Sequence, residues 1–284
     1  MDRNGYVYPL SQQAATVLDT LRFTLEEQET EVVTDCAVEK ITVSQKGRDT
    51  EFLVRAGGED WLFGKLILAC GSIAGEKNAD FGGYALAKAL GHTILKPLLA
   101  LVQLRCAGSF WKGLAGVRCD ARIQLLISGR GTNESYEEQG ELQLTDYGIS
   151  GIPVFQLSRF AAAALDAGRQ VKASIDFLPG FRDNEALWQE LVEEKCTSCR
   201  QRSMEVLFGG LVNKKIIQTA VKLCGLSMGD RAERKNLPAI RKVFALLRSF
   251  EVQVTDTNPF ANAQVCAGGV PLTSRRPSGL RKTS

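Results

Sequence analysis

One stretch, Lys65–His92, constrains the fold more than any other part of the chain. It opens with a short continuous apolar run, Leu66–Cys70, which predicts a buried strand, and the run breaks at Gly71. After a polar loop, a helical pattern follows over Tyr84–Leu90 and stops at Gly91. The order of strand, glycine turn, loop and helix is typical of an α/β sheet that brings backbone N–H groups close to a ligand.

The composition indicates an ordinary globular protein. The 284 residues are enough for two domains, and 44% hydrophobic with 24% charged residues is far from a disordered composition. No apolar run reaches the roughly 20 residues that a membrane helix needs, and the N-terminus has no signal-peptide pattern. We therefore expect a cytoplasmic protein whose 8 cysteines are reduced thiols.

The charge balance and the histidine count exclude some functions. The net charge is +3, and basic residues of the C-terminal tail supply enough positive charge that the body is close to neutral. Composition therefore gives no case for nucleic acid as a partner. Because His92 is the single histidine, a multi-histidine metal site or a mechanism that needs two histidines is excluded, and no metal is expected.

The order of elements predicts four parts and a tail. Residues 1–93 read as a piece of a nucleotide-binding α/β domain, with a helix after Ser11 and strands at 31–34, 38–44, 51–55, 60–63 and 66–70. Residues 94–180 read as a β-rich subdomain, a barrel or a bent sheet, with one helix near 153–167 and a solvated loop at 129–140. Residues 181–250 are helical, 251–272 are return strands, and the basic tail 273–284 is expected to be disordered.

Two glycine turns are candidate ligand contacts. Gly71-Ser72 follows the apolar strand, and Gly268-Gly269 follows the last predicted strand. Small residues let a diphosphate or a flavin edge approach the backbone, and paired glycines can present N–H groups to an anion or a ring. Each turn can equally be no more than the end of a strand or a bulge.

Three further motifs have bland and functional interpretations. Cys196 and Cys199 have CxxC spacing, but they fall inside a charged helix without other metal ligands, so two half-exposed helix cysteines are the simpler interpretation. His92 suits the C-terminus of a helix better than catalysis. The segment 145–151, with Tyr147, Gly148, Ser150 and Gly151, could line a substrate pocket or only cap the helix that follows, with Ser150 as the cap.

Five segments in order carry a resemblance to a known family. They are NGYVYPLSQQAATVLDTL, LILACGS with GGYALAKALGH, LQLTDYGISGIPVFQLSR, LVNKKI and FEVQVTDTNPFANAQVCAGGV. Together they resemble the bacterial FAD-dependent oxidoreductases of the aminoacetone-oxidase-like and dehydro-bile-acid-reductase-like flavoproteins. The resemblance runs from about Asn4 to Leu272. It implies an α/β FAD domain of the two-dinucleotide-binding type that is split by a β-rich and a helical insertion.

The resemblance also assigns cofactor contacts. Ala69, Cys70, Gly71 and Ser72 match a family Ala-Thr-Gly-Gly segment that lies against FAD, with Cys in place of Thr and Ser in place of the second Gly. The resemblance further implies that the backbone of Val38 meets the adenine, that Gly268 and Gly269 lie near the flavin, and that Tyr147–Gly151 covers the substrate side. It assigns no catalytic acid, base or nucleophile.

Two segments of the family pattern are not found in this sequence, and this changes what we expect of its function. The family's GxGxxG turn, which seats the FAD diphosphate on a helix N-terminus, is absent from the sequence, and the tail departs from the family's second flavin segment. We therefore expect an FAD-dependent oxidoreductase present as an incomplete chain that binds FAD weakly alone. Its substrate is a small molecule, and a nicotinamide is one possible electron donor. The alternative is a non-catalytic remnant that acts as a binding or scaffold module.

Overall fold

A computed structural model describes residues 2–3, 6–46, 49–75, 82–129 and 131–271. The chain divides into two compact units, Met1–Ile67 and Leu68–Ser284. The four-part division predicted above places its first boundary at residue 93 and stays a prediction. The tail 273–284, predicted to be disordered, lies outside the described residues.

The first unit consists of one helix and short antiparallel strands. Its elements are β1 Asp2–Arg3, β2 Tyr6–Val7, α1 Ala14–Glu27, β3 Val38–Lys46, β4 Asp49–Ala56 and β5 Glu59–Phe63. Strands β3, β4 and β5 form an antiparallel meander, in which Val54 pairs with Ile41 on one side and Trp61 on the other. They confirm the strands predicted at 38–44, 51–55 and 60–63.

Two predicted strands are wrong. Residues 31–34 and 66–70 form no strand and join no ladder with any residue that the structure describes. Ile67 is 89% exposed. A strand requires a neighbouring strand that pairs with its backbone. The apolar run has side chains suited to a buried strand, but it has no such neighbour among the described residues.

The second unit carries the remaining elements. In chain order they are α2 Gly82–Ala89, β6 Leu95–Ala100, β7 Leu104–Cys106, α3 Trp111–Leu114, β8 Arg118–Gly129, β9 Thr132–Leu144, β10 Gly148–Gly151, α4 Ile152–Asp166, β11 Gln170–Asp176, α5 Glu185–Ser198, α6 Met204–Phe208, α7 Lys214–Leu223, α8 Leu237–Arg248, β12 Phe250–Thr257 and β13 Val265–Gly269. Short 3₁₀ turns lie at Pro179–Phe181, Arg234–Asn236 and Phe260–Asn262.

Six strands close into an antiparallel barrel in the order β10-β7-β12-β11-β8-β9. Along the longer strands, buried side chains alternate with more accessible ones, as the pleat requires. Strand β8 buries Ala121, Ile123, Leu125 and Ile127 in this way. Helix α4 contacts five of the six barrel strands, and its buried Val154 and Leu157 belong to the same core. The barrel takes five strands from the predicted β-rich part, and its sixth strand, β12, comes from the segment predicted as return strands.

Residues 129–140 form the predicted hairpin, but most of them are strand and not solvated loop. Most of this segment belongs to β9, which pairs with β8 from Gly129–Thr132 to Arg118–Gln143. Its polar side chains face solvent from a strand; Arg122 Nη1 donates to Glu137 Oε2 at 2.9 Å. Polar composition therefore indicated exposure correctly but not the backbone conformation.

The helical part packs directly on the barrel. Helices α5–α8 bury an aromatic cluster in which the Trp188 and Phe244 ring centroids lie 5.8 Å apart and those of Phe208 and Phe244 lie 4.8 Å apart. The buried residues of the helices and of the barrel form one continuous apolar core. Edge-to-face contacts of this kind add to area burial, so barrel and helices fold as one body.

Strand β13 returns beside β6 at the side of the barrel. Val265 pairs with Ala100, Ala267 with Leu98 and Gly269 with Leu95. Gly268 and Gly269 belong to this two-stranded ribbon. The other predicted cofactor contacts of the second unit, residues 69–72, lie in a loop beside α2. No helix among the described residues has the length and apolar character to cross a membrane.

Candidate functional site

The loop 69–72 forms an exposed ledge of small side chains. Ala69, Cys70, Gly71 and Ser72 are all exposed. Gly71 has φ +75°, and a methyl group added there would meet nothing within 4 Å. The backbone N–H groups of Gly71 and Ser72 donate to none of the residues in the described ranges. The ledge therefore offers open space and unused donors to a flat or anionic ligand.

Helix α2 packs against the back of this ledge. A methyl group at Gly83 would lie 3.0 Å from Cys70 Cβ and 3.4 Å from Cys70 Sγ. Such a contact is too close for most side chains, so glycine at position 83 lets the helix approach the loop. The N-terminal part of α2 therefore packs against Cys70 of the ledge.

The second glycine turn meets the same helix. Gly269 has φ +87°, and a methyl group there would lie 3.2 Å from Tyr84 Cε1. Gly268, with φ +107°, lies at a bulge where a side chain would come within 2.6 Å of the Lys96 carbonyl oxygen. Gly268 therefore has a structural role in the ribbon, whereas Gly269 admits the Tyr84 ring. The structure thus places both predicted glycine turns against α2.

Tyr84 links the two turns and was not predicted as a site residue. It follows Gly83 directly and is half-buried. Burial is the main cause that raises its pKa, and the neighbouring Cys266 thiol raises it further. The phenol is therefore neutral at physiological pH. The Gly82-Gly83-Tyr84 sequence at the start of a helix is the signal that could have identified it.

A third contact ties the loop to the return segment. The backbone N–H of Gly75 donates to the carbonyl oxygen of Phe260 at 2.8 Å. Gln264 N–H donates to the Leu101 carbonyl oxygen at 3.2 Å. The segment between the barrel and β13 is thus fixed both to the loop and to the end of β6, so the ledge has a defined position on the second unit.

These residues fit one part of FAD and not another. An exposed backbone with small side chains and free N–H groups suits the edge of a flavin ring, since a larger side chain would fill that space. A diphosphate seat requires a glycine-rich turn at a helix N-terminus, and no GxGxxG sequence is present. The ledge therefore fits the flavin end of the cofactor, and the described residues show no diphosphate seat of that kind.

Val38, the predicted adenine contact, belongs to the first unit. It begins β3, pairs with Ala56 next to a bulge and is 44% exposed. Its backbone is accessible from one side, as an adenine contact requires. Its role toward FAD stays a prediction.

The four substrate-side candidates separate into different roles. Gly148 and Gly151 have φ values of +151° and +105°, and a methyl group at either would lie 2.3 Å from a backbone oxygen of the neighbouring strand. Both are therefore required for close strand packing. Ser150 is 6% exposed and pairs with Gln143 in the barrel; the N-cap of α4 is Gly151, so the predicted Ser150 cap is wrong. Tyr147 is half-exposed, and the Arg105 Cζ lies 5.2 Å from its ring centroid.

The CxxC cysteines and His92 lie at or near the C-terminal ends of helices, α5 and α2 respectively. Cys196 lies in α5, Cys199 follows that helix as its C-cap, and both are half-buried free thiols; burial is the main cause that raises the Cys196 pKa. His92 follows α2, and its N–H donates to the Ala87 carbonyl oxygen at 3.1 Å after Gly91 at φ +87°. Within the described part of the chain, no cluster of His, Cys, Asp and Glu could hold a metal ion.

Comparison with known proteins identifies the family. Residues 99–265 match the family model described as the HI0933-like protein barrel and H2TH domain, which corresponds to the observed barrel with its helical part. The chain is 36% identical over 290 residues to the 3-dehydro-bile acid delta(4,6)-reductase of Clostridium scindens, covering 99% of this chain and 69% of that enzyme. The chain belongs to the HI0933-like family, a family of flavoproteins.

Proposed function

We propose that this protein is an FAD-dependent oxidoreductase in which the ledge 69–72 and the turn at Gly269 hold the flavin end of the cofactor. The observation that carries the proposal is the convergence of these two segments on α2 through Cys70–Gly83 and Tyr84–Gly269. The family and the reductase relative support the reaction class. When bound, FAD supplies the hydride chemistry, and the protein supplies orientation and exclusion of water.

The protein's own groups have positioning roles. The N–H groups of Gly71 and Ser72, which have no acceptor in the described part of the chain, are the proposed donors to the cofactor's polar edge. Tyr84 supports the backbone of Gly269 from behind, and its neutral phenol adds no charge to the site. Tyr147, half-exposed on the barrel, is the proposed cover on the substrate side.

We propose reduction as the direction of the reaction. The Clostridium scindens relative is by name a reductase that acts on a 3-dehydro bile acid. At 36% identity the reaction type transfers more securely than the substrate, so we assign a small-molecule substrate without naming it. A nicotinamide is the proposed electron donor, and the cytoplasm, where the eight free thiols stay reduced, is the proposed location.

We also propose that this chain alone binds FAD weakly. A family affinity of about 10 nM corresponds to roughly −11 kcal/mol. The missing diphosphate turn and related contacts remove about 5 kcal/mol, which leaves a dissociation constant of tens of micromolar. The strand-like run 66–70, which joins no ladder among the described residues, is consistent with an incomplete seat.

A binding or scaffold module is the second candidate. The observation that favours it is the continuous core of the barrel and the helices, which does not depend on the ledge. In that case the barrel would fold and bind a partner, while flavin chemistry would be lost. The two candidates differ in whether the protein oxidises a reduced nicotinamide through FAD.

The test is anaerobic reduction of added FAD. The purified chain, saturated with FAD, should lose the flavin's visible absorbance when NADH or NADPH is added, and faster than free FAD does. The variant Cys196→Ser/Cys199→Ser should behave like the wild type, because those thiols lie outside the ledge. A rate equal to that of free FAD would favour the binding module instead.

A further inference from the structure

Arg105 is an exposed arginine that is held in place without a carboxylate partner. It lies in β7 and forms no ion pair with any residue that the structure describes. Its Nη1 nevertheless donates to Asn258 Oδ1 at 3.2 Å, and its Cζ lies 5.2 Å from the Tyr147 ring centroid. A surface arginine usually loses rotamer entropy when it binds a ligand. These two contacts already limit the rotamers of Arg105 in the free protein, so less entropy is lost when a ligand binds.

Asn258, which accepts the hydrogen bond from Arg105, is buried and held in one orientation. Asn258 is 6% exposed. Its Nδ2 donates to Gln103 Oε1 at 3.3 Å, and its backbone N–H donates to the Gln103 carbonyl oxygen at 3.0 Å. Because the amide group of Asn258 donates on one side, its oxygen faces Arg105 on the other. The chain Gln103–Asn258–Arg105 thus fixes the direction of the guanidinium.

Arg105 forms no ion pair with the acid that lies opposite it in the strand register. Asp256 lies opposite Arg105 in the β7–β12 register. Its Oδ1 instead accepts a hydrogen bond from the Thr257 N–H at 2.8 Å. A guanidinium has five N–H donors in a planar fork, and Asn258 accepts from Nη1 alone. The other N–H groups donate to none of the described residues and are available to a ligand.

The position of Arg105 connects it to the ledge. Asn258 is separated by one residue from Phe260, whose carbonyl oxygen accepts the Gly75 N–H at 2.8 Å. Gly75 ends the segment that begins with the ledge 69–72. Gln103, at the other end of the support, precedes β7 directly. The arginine therefore stands on the part of the barrel that is joined to the candidate cofactor loop.

We infer that Arg105 binds an oxyanion of the substrate, a carboxylate or a phosphate group, and so selects anionic substrates. The inference rests on the proposed function for the location of the reaction, but the anion contact itself does not require flavin. Two parallel N–H groups of a guanidinium match the two oxygens of either anion. Tyr147 and Asn258 act as positioning residues through Arg105.

The test measures binding of a 3-dehydro bile acid and of its uncharged methyl ester. Isothermal titration uses the full chain with excess FAD, at constant ionic strength and below the micelle concentration. The wild type should bind the acid about tenfold more tightly than the ester, as a charge-assisted contact allows. The ratio should fall to near one in Arg105→Gln, recover in part in Arg105→Lys, and increase in Asp256→Asn.

A matched control separates the site from general charge. Arg159 is also exposed, and its Cζ lies 4.5 Å from the Phe160 ring centroid. Arg159→Gln should keep the wild-type ratio. Competition by acetate and by inorganic phosphate distinguishes the two anions: the one that displaces the acid at the lower concentration identifies the group that Arg105 prefers.

The outcomes also separate this inference from the proposed function. FAD absorbance is measured in the same samples. If FAD binds but the acid-to-ester ratio is the same in Arg105→Gln, the anion inference is wrong and the flavin proposal stands. If FAD does not bind and the ratio still depends on Arg105, the anion site stands without the flavin proposal. Absence of both FAD and acid binding overturns both.

Discussion

The ring of Tyr84 occupies the space that a side chain at position 269 would need. A methyl group on Gly269 would lie 3.2 Å from Tyr84 Cε1 and 4.0 Å from the hydroxyl oxygen. Helix α2 and strand β13 come this close because glycine is present, and the contact joins the two halves of the candidate flavin site. The structure thus brings two glycine turns that are far apart in sequence to the same helix.

The Tyr84–Gly269 contact predicts a coupled effect on stability. Gly269→Ala should destabilise the second unit by about 1–3 kcal/mol, because the new methyl group adds overlap with Tyr84 to the strain of φ +87°. In the double variant Gly269→Ala/Tyr84→Ala the overlap disappears, so the loss should be smaller than the sum of the single losses by about 0.5–1 kcal/mol. Urea unfolding of the four proteins measures the coupling; strict additivity would contradict the contact.

Barrel closure depends on Gly148. Gly148→Ala should cost roughly 3 kcal/mol or more, because its methyl group would lie 2.3 Å from the Leu104 carbonyl oxygen on the paired strand. The matched control is Gly131→Ala, where φ is +77° and nothing lies within 4 Å, so only about 1 kcal/mol of backbone strain is expected. Urea denaturation measures both losses. Equal losses would mean that the contact across β7 and β10 is unimportant.

Cys70 should report on cofactor binding. It is an exposed thiol on the ledge, whereas Cys106 is buried. Iodoacetamide should therefore alkylate Cys70 quickly and Cys106 hardly at all, as peptide mass spectrometry can measure. Saturating FAD should slow the alkylation of Cys70 severalfold and leave that of Cys196 unchanged. Equal slowing at both positions would indicate a general effect of FAD and not a site at the ledge.

Alkaline pH should weaken the barrel through Cys106. Burial raises the pKa of this thiol from about 9 to about 12, although a hydrogen bond with the backbone of Ile149 lowers it slightly. Below its ordinary pKa the thiol is neutral in both the folded and the unfolded chain, so its contribution is constant. Above that value the unfolded chain loses a proton that the folded chain keeps, and stability decreases as pH rises toward 12.

The size of the alkaline effect can be measured directly. Between pH 8 and pH 10 the loss through Cys106 should be about 1 kcal/mol. Cys106→Ala should remove that part of the pH dependence, whereas Cys70→Ala, at an exposed position, should not. Urea midpoints at the two pH values provide the measurement. A wild-type slope that Cys106→Ala leaves unchanged would show that other groups cause it.

The sequence was sufficient to predict elements whose side chains alternate strongly. The helix predicted near 153–167 is observed as α4, and the strands predicted at 38–44, 51–55 and 60–63 are observed as β3, β4 and β5. The closure of the barrel was not predictable, because β7 pairs with β12; the Thr255 hydroxyl and the Arg105 carbonyl oxygen that it reaches are 150 residues apart in the chain. Local patterns contain no information about such a distant partner.

In the candidate site, too, contacts between distant segments could not be predicted from the sequence. The resemblance indicated Gly71 and Gly268-Gly269, and the structure brings both turns to α2. Tyr84, Arg105 and Asn258 were missed because their roles depend on neighbours from distant segments. The apolar run 66–70 had the composition of a buried strand, yet strand formation depends on a paired backbone.

FAD binding to the ledge is the central claim, and equilibrium dialysis against FAD tests it most directly. The wild type should bind FAD with a dissociation constant of tens of micromolar, Gly71→Ala should bind about tenfold more weakly, because its methyl group enters the open space, and Gly131→Ala, with nearly the same φ, should match the wild type. Equal affinities for Gly71→Ala and wild type would contradict a flavin site at the ledge. A tightly bound, stoichiometric yellow protein would contradict the weak binding.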